Sequence, residues 1–103
     1  MATNSTSDQC NVTISQNGRS GSITYRESAG SIPFYLEFGG SDAIAIVWIE
    51  KPLVWSSRHP WAVERRREIL ERVAEEVIRQ KASTCRADID EQNGYICIRE
   101  RAG

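Results

Sequence analysis

A membrane-spanning helix needs about 18 consecutive apolar residues, and nothing in this chain approaches that. The longest apolar run, Ala43 to Ile49, is the length of a strand. Net charge is also lacking. Thirteen basic residues face fourteen acidic ones, for a balance of −1. No global field therefore steers the protein toward nucleic acid or an anionic membrane, and any such attraction has to come from a local patch. Cysteines number three, an odd count without C-x-x-C spacing. That pattern is neither a disulfide framework nor a zinc site, and it points to a reducing compartment, the cytoplasm. Residues 1–9 are polar and lack the basic and apolar regions of a secretory signal. Without a signal, the Asn-x-Thr matches at Asn4 and Asn11 carry no weight as glycosylation sites.

The usual catalytic arrangements are missing too. No glycine-rich loop precedes a helix, and no serine sits in a nucleophile elbow. No cysteine has a nearby histidine, because His59 is the only histidine. No metal or other cofactor is expected.

What is present reads as one ordinary globular domain. The 103 residues are 40% apolar and 26% charged, enough for one core and no more. Residues 1–10 read as a disordered polar tail, with Cys10 an exposed thiol at its end. Residues 11–103 read as a single α+β domain.

Val12 and Ile14 share one face of a first strand, and Ile23 and Tyr25 one face of a second. Asn17-Gly18 between them is a hairpin signal. A third strand runs from Ile32 to Phe38, with Pro33 suggesting an edge or the start of a strand. Gly39 to Asp42 closes another hairpin. The fourth strand, Ala43 to Ile49, is apolar on both faces, which predicts a central strand covered on both sides. Glu50 to His59 has no period and reads as a loop. Pro60 fits the first position of a long helix to about Lys81, capped by Ser57 or His59. Ile69, Leu70, Val73, Ala74 and Val77 form its apolar side. Two strands follow, residues 84–90 and 95–100. Ile89 faces Ile96 across a four-residue loop ending in Gly94, with Cys85 and Cys97 on opposite faces. The fold class is α+β, a single antiparallel sheet in chain order ββββ-α-ββ, with one long amphipathic helix packed on one face.

The candidate binding residues are Trp55, Arg58, His59, Trp61 and Arg66. All three tryptophans fall between positions 48 and 61, and Trp and Arg are enriched at binding hot spots. Against that, Trp48 would serve the core, with Trp55 and Trp61 pinning the loop. His59, alone before Pro60, suits a turn better than catalysis. Arg66 falls in the apolar sector of the helix, where it either reads a ligand or, as expected here, snorkels out to solvent. Arg65, Arg72 and Arg79 form a stripe with Trp61. Glu68 and Glu75 stand four residues before Arg72 and Arg79, the mark of a self-neutralised solvent face. Tyr25, Glu27, Tyr35 and Glu37 are placed to line an open sheet face together.

These features favour a non-enzymatic protein-interaction module of accessory, inhibitor or immunity type, with another protein as partner. Nucleic acid is the disfavoured partner, through the basic stripe. A small-ligand pocket around Arg66, His59 and Glu50 is the third reading. An apolar edge strand would also permit a homodimer.

Overall fold

A computed structural model describes residues 10–39 and 43–101. Six strands form one antiparallel sheet: β1 (Asn11–Asn17), β2 (Ser20–Glu27), β3 (Gly30–Phe38), β4 (Ala45–Trp48), β5 (Cys85–Asp90) and β6 (Tyr95–Glu100). Their spatial order is β1-β2-β3-β4-β6-β5. Between β4 and β5 come a short helix α1 (Pro52–Arg58), a 3-10 turn (Pro60–Ala62) and a long helix α2 (Arg66–Lys81). The α+β class, the single sheet and the long packed helix agree with the sequence pattern. No helix among the described residues is long and apolar enough to cross a membrane.

The core lies between one sheet face and the helices. Ile23, Ile32, Phe34, Leu36, Val47, Ile96 and Ile98 supply the sheet side. Ile69, Leu70, Val73, Ala74 and Val77 supply the expected stripe of α2. Ile89 faces Ile96 and Gly94 takes a φ of 82°, as the strand pattern predicts. Cys85 joins the core, while Cys97 lies opposite Asp88 on the other face, and all three cysteines are free.

Several expectations need correction. Glu50–His59 is not a loop. Pro52 opens α1, whose one buried side chain is Trp55. A helix this short makes a single core contact, so it leaves no period to read. The long helix begins at Arg66 and not at Pro60. Ala62 donates to the His59 carbonyl at 2.9 Å and accepts from the Arg65 N–H at 3.2 Å. Its carbonyl also takes the Trp55 indole N–H at 3.1 Å. These bonds hold a 3-10 turn and delay the α-helix. The side chains of Ser57 and His59 make no capping bond to either helix start.

β3 is an inner strand, but Pro33 lies near its start, before the pairing with β4 begins at Tyr35, so on that side it holds the expected edge or strand-entry position. The two-residue turns after Asn17 and Glu27 close on hydrogen-bonded pairs. By alternation, Thr24 and Pro33 form a non-hydrogen-bonded pair. The Pro33 nitrogen therefore points toward the β4 side, beyond the point where Trp48, opposite Tyr35, ends β4. No ladder bond is lost there.

Cys10 is not an idle tail residue. It packs partly buried against the core, and its Sγ accepts from Arg72 Nη1 at 2.9 Å. The rest of the expected tail, and residues 40–42 of the expected second hairpin, lie outside the described residues. β4 is covered on one face only: Ala45 and Val47 are buried, but Trp48 is 42% exposed.

Tyr25 and Glu27 also lie on the helix side of the sheet, away from Tyr35 and Glu37. The Tyr25 hydroxyl donates to Glu27 Oε1, and Arg65 Nη1 donates to Glu27 Oε2 at 2.8 Å. The Arg65 contact, aided by the tyrosine, holds the Glu27 carboxyl below its usual range. Burial, then the bond to Glu27, pushes the Tyr25 phenol up. Glu27 therefore stabilises the fold above the ordinary carboxylate range of about 4, and that contribution is lost as pH falls through its lowered value. Tyr25 contributes fully below about pH 10, and its contribution is lost as pH rises further. In urea titrations across pH, Glu27→Gln is expected to remove about 1 kcal/mol at neutral pH and flatten the acid limb. Tyr25→Phe should flatten the alkaline limb. Unchanged limbs in both variants would refute the linkage.

Candidate functional site

The loop residues chosen from the sequence form a buried structural node. Trp55 is 1% exposed, His59 8% and Arg66 7%. The Trp55 ring lies 5.5 Å from the His59 ring and 5.2 Å from the Arg66 guanidinium carbon. His59 Nε2 meets Glu50 Oε1 at 2.8 Å. Arg66 Nη2 donates to the Glu50 carbonyl at 2.7 Å, and its Nη1 to Glu91 at 3.1 Å. Arg66 does not snorkel, because two acceptors meet it: the Glu50 carbonyl, where the chain leaves β4, and the Glu91 carboxylate, in the turn after β5. Arg58 is exposed and paired with Glu50 at 3.0 Å. Trp61 is half-buried over the β2–β3 turn, where a Cβ on Gly30 would come within 2.8 Å of its indole nitrogen.

The structure thus brings Glu50, His59 and Arg66 together, but onto one another. The hollow that Glu50 helps to line, about 410 Å³, is otherwise bounded by Pro33, Phe34, Tyr35, Trp48 and Ile49, without His59 or Arg66.

The basic stripe is likewise engaged. Arg65 pairs with Glu27 and Glu68, Arg72 with Glu68, and Arg79 with Glu76 in place of the expected Glu75.

Among the described residues, the surface left uncovered is the outer sheet face. Successive cross-strand partners make one row across it: Ser22, Tyr35, Trp48, Tyr95 and Asp90. Strands lie about 4.8 Å apart, so the three aromatic residues span roughly 10 Å. Tyr35 is 49% exposed and Trp48 42%. Trp48 and Tyr95 meet edge-on at 6.0 Å between centroids, and the Trp48 indole donates to Glu37 at 3.4 Å. Ile46 and Cys97 form the middle of the next row. Around this centre the rim is polar. Ser15, Ser22 and Thr24 lie on the β1 side. On the β5 side, Asp88 bridges Arg86 and Arg99 at 2.5 and 3.2 Å.

Sequence reasoning assigned Trp48 to the core and so missed this row. The signal was available: six strands and a single long helix leave one sheet face bare, so the outer side chains of an all-apolar strand must meet solvent.

No protein-family model, curated protein or solved structure matches the chain.

Proposed function

We propose that the protein is a non-enzymatic protein-interaction module that binds its partner through the uncovered sheet face. The observation carrying this reading is the row Tyr35–Trp48–Tyr95, half-exposed at the centre of a polar rim. Aromatic anchors within a polar rim are the anatomy of protein interfaces. The rim carries both signs of charge in internal pairs, which suits a protein more than a polyanion. The carboxylate pairing of Arg65, Arg72 and Arg79 weighs further against a nucleic-acid surface. Against catalysis stands the enclosure of the lone histidine between Glu50 and Trp55. Three free thiols suit the cytoplasm.

The test is capture of partners from the source cell, with and without nuclease, by wild type, Trp48→Ala and Tyr35→Ala. Both side chains point away from the core, so the variants should keep wild-type circular dichroism. Each is expected to weaken the complex by about 1–3 kcal/mol, measured by titration once the partner is purified. A partner that binds both variants as tightly as wild type would overturn the proposal. So would an eluate that holds nucleic acid alone without nuclease, or no partner in either condition.

A further inference from the structure

The two edges of the sheet are protected differently. β5 carries Arg86, Asp88 and Asp90 in alternation, and charge at an edge discourages pairing with another chain. β1, at the opposite edge, reads Asn-Val-Thr-Ile-Ser-Gln-Asn. It has no charge, no proline and no bulge in its ladder to β2.

The direction of its free backbone groups follows from the turn. Asn17 and Ser20 close a two-residue hairpin, so their pair is hydrogen-bonded. Asn11, Thr13 and Ser15 then also bond to β2, and the N–H and C=O groups of Val12, Ile14 and Gln16 point outward. Among the described residues no strand takes them up. Val12 and Ile14 are only half-buried, so the edge is also partly apolar on its helix side.

We propose that the protein self-associates by antiparallel pairing of β1 with β1 of a second copy, about a two-fold axis at Ile14. A two-fold interface requires a self-complementary strand, and this one qualifies. Ile14 faces Ile14, Val12 faces Gln16, and Thr13 faces Ser15, with no like charges opposed. Each outward-pointing residue meets another, so every free edge group between Val12 and Gln16 finds a partner. The sheet becomes continuous through both copies. A single strand pair buries less than a standard interface, so the dimer is a weak one. The aromatic row lies on inner strands and stays free, so this inference stands or falls apart from the proposed function.

Sedimentation velocity of the full chain from about 10 µM to 1 mM decides it. The weight-average mass of wild type is expected to rise from monomer toward dimer. Gln16→Pro removes an outward N–H and spares the bonds to β2. The double variant Thr13→Lys/Ser15→Lys opposes like charges across the new pair while changing only exposed side chains. Each should move the midpoint to at least about tenfold higher concentration at unchanged circular dichroism. A monomer across the whole range, or wild-type association in the folded lysine variant, would overturn the proposal.

Discussion

Trp55→Ala is expected to destabilise the fold by about 3–5 kcal/mol, the cost of emptying a large aromatic site in a core. The side chain is 1% exposed and ties three elements together. Its ring packs 6.3 Å from Phe34 on β3 and 5.5 Å from His59, and its indole bonds the Ala62 carbonyl at 3.1 Å. It is also the only buried residue of α1, so no other buried side chain anchors that helix to the core. Isolated helices of this length do not persist in water. α1 should therefore fray as the cavity forms, and the Arg66 guanidinium should lose the ring beneath it. Trp55→Phe keeps most of the packing and loses the indole bond, so a smaller loss of about 1–2 kcal/mol is expected. Urea unfolding of both variants checks this. A loss under about 1 kcal/mol for Trp55→Ala would show that α1 is held otherwise. This outcome also separates anchoring from recognition: a partner complex lost in Trp55→Ala together with the fold says nothing of the outer face, whereas Trp48→Ala reads that face alone.

Arg66→Ala carries the second-largest expected effect, a loss of about 2–4 kcal/mol. Removing one member of a buried pair strands the other in a poorly solvated place. Here the stranded group is the Glu50 carbonyl, bonded at 2.7 Å where the chain leaves β4. Glu91 suffers less, because it is partly exposed and keeps Arg67 at 3.2 Å. That is why the upper end of the range for buried pairs is not expected. Arg66→Met restores packing on Trp55 without the hydrogen bonds and should recover about half of the loss. Arg66→Lys keeps the charge but cannot fork to both acceptors. Should Arg66→Ala cost no more than an exposed substitution, about 0.5 kcal/mol, the node would be incidental to stability.

The Arg66 node shows where local reasoning stops. The helical wheel correctly puts Arg66 in the apolar sector of α2. Whether it then leaves the core or stays depends on acceptors 16 and 25 residues away. No sequence window contains both. The tryptophans make the same point. Trp48, Trp55 and Trp61 are alike in composition and close in sequence, yet one is exposed, one sealed and one half-covered. Their fates follow from which sheet face β4 presents outward and from where α1 turns back.

The sequence alone determined what depends on neighbours in the chain. Alternating apolar residues gave the strands, the Ile89–Ile96 hairpin with Gly94 at positive φ, and the stripe of α2. Those patterns repeat over several residues, and burying them in one layer leads to an antiparallel sheet beneath a helix. The tertiary structure decided α1, the delayed start of α2, the pairing of Arg66 and the side of the sheet that carries Tyr35, Trp48 and Tyr95. These rest on contacts between distant segments. A seven-residue helix with one buried side chain and a cross-strand row assembled from three strands leave no period along the chain.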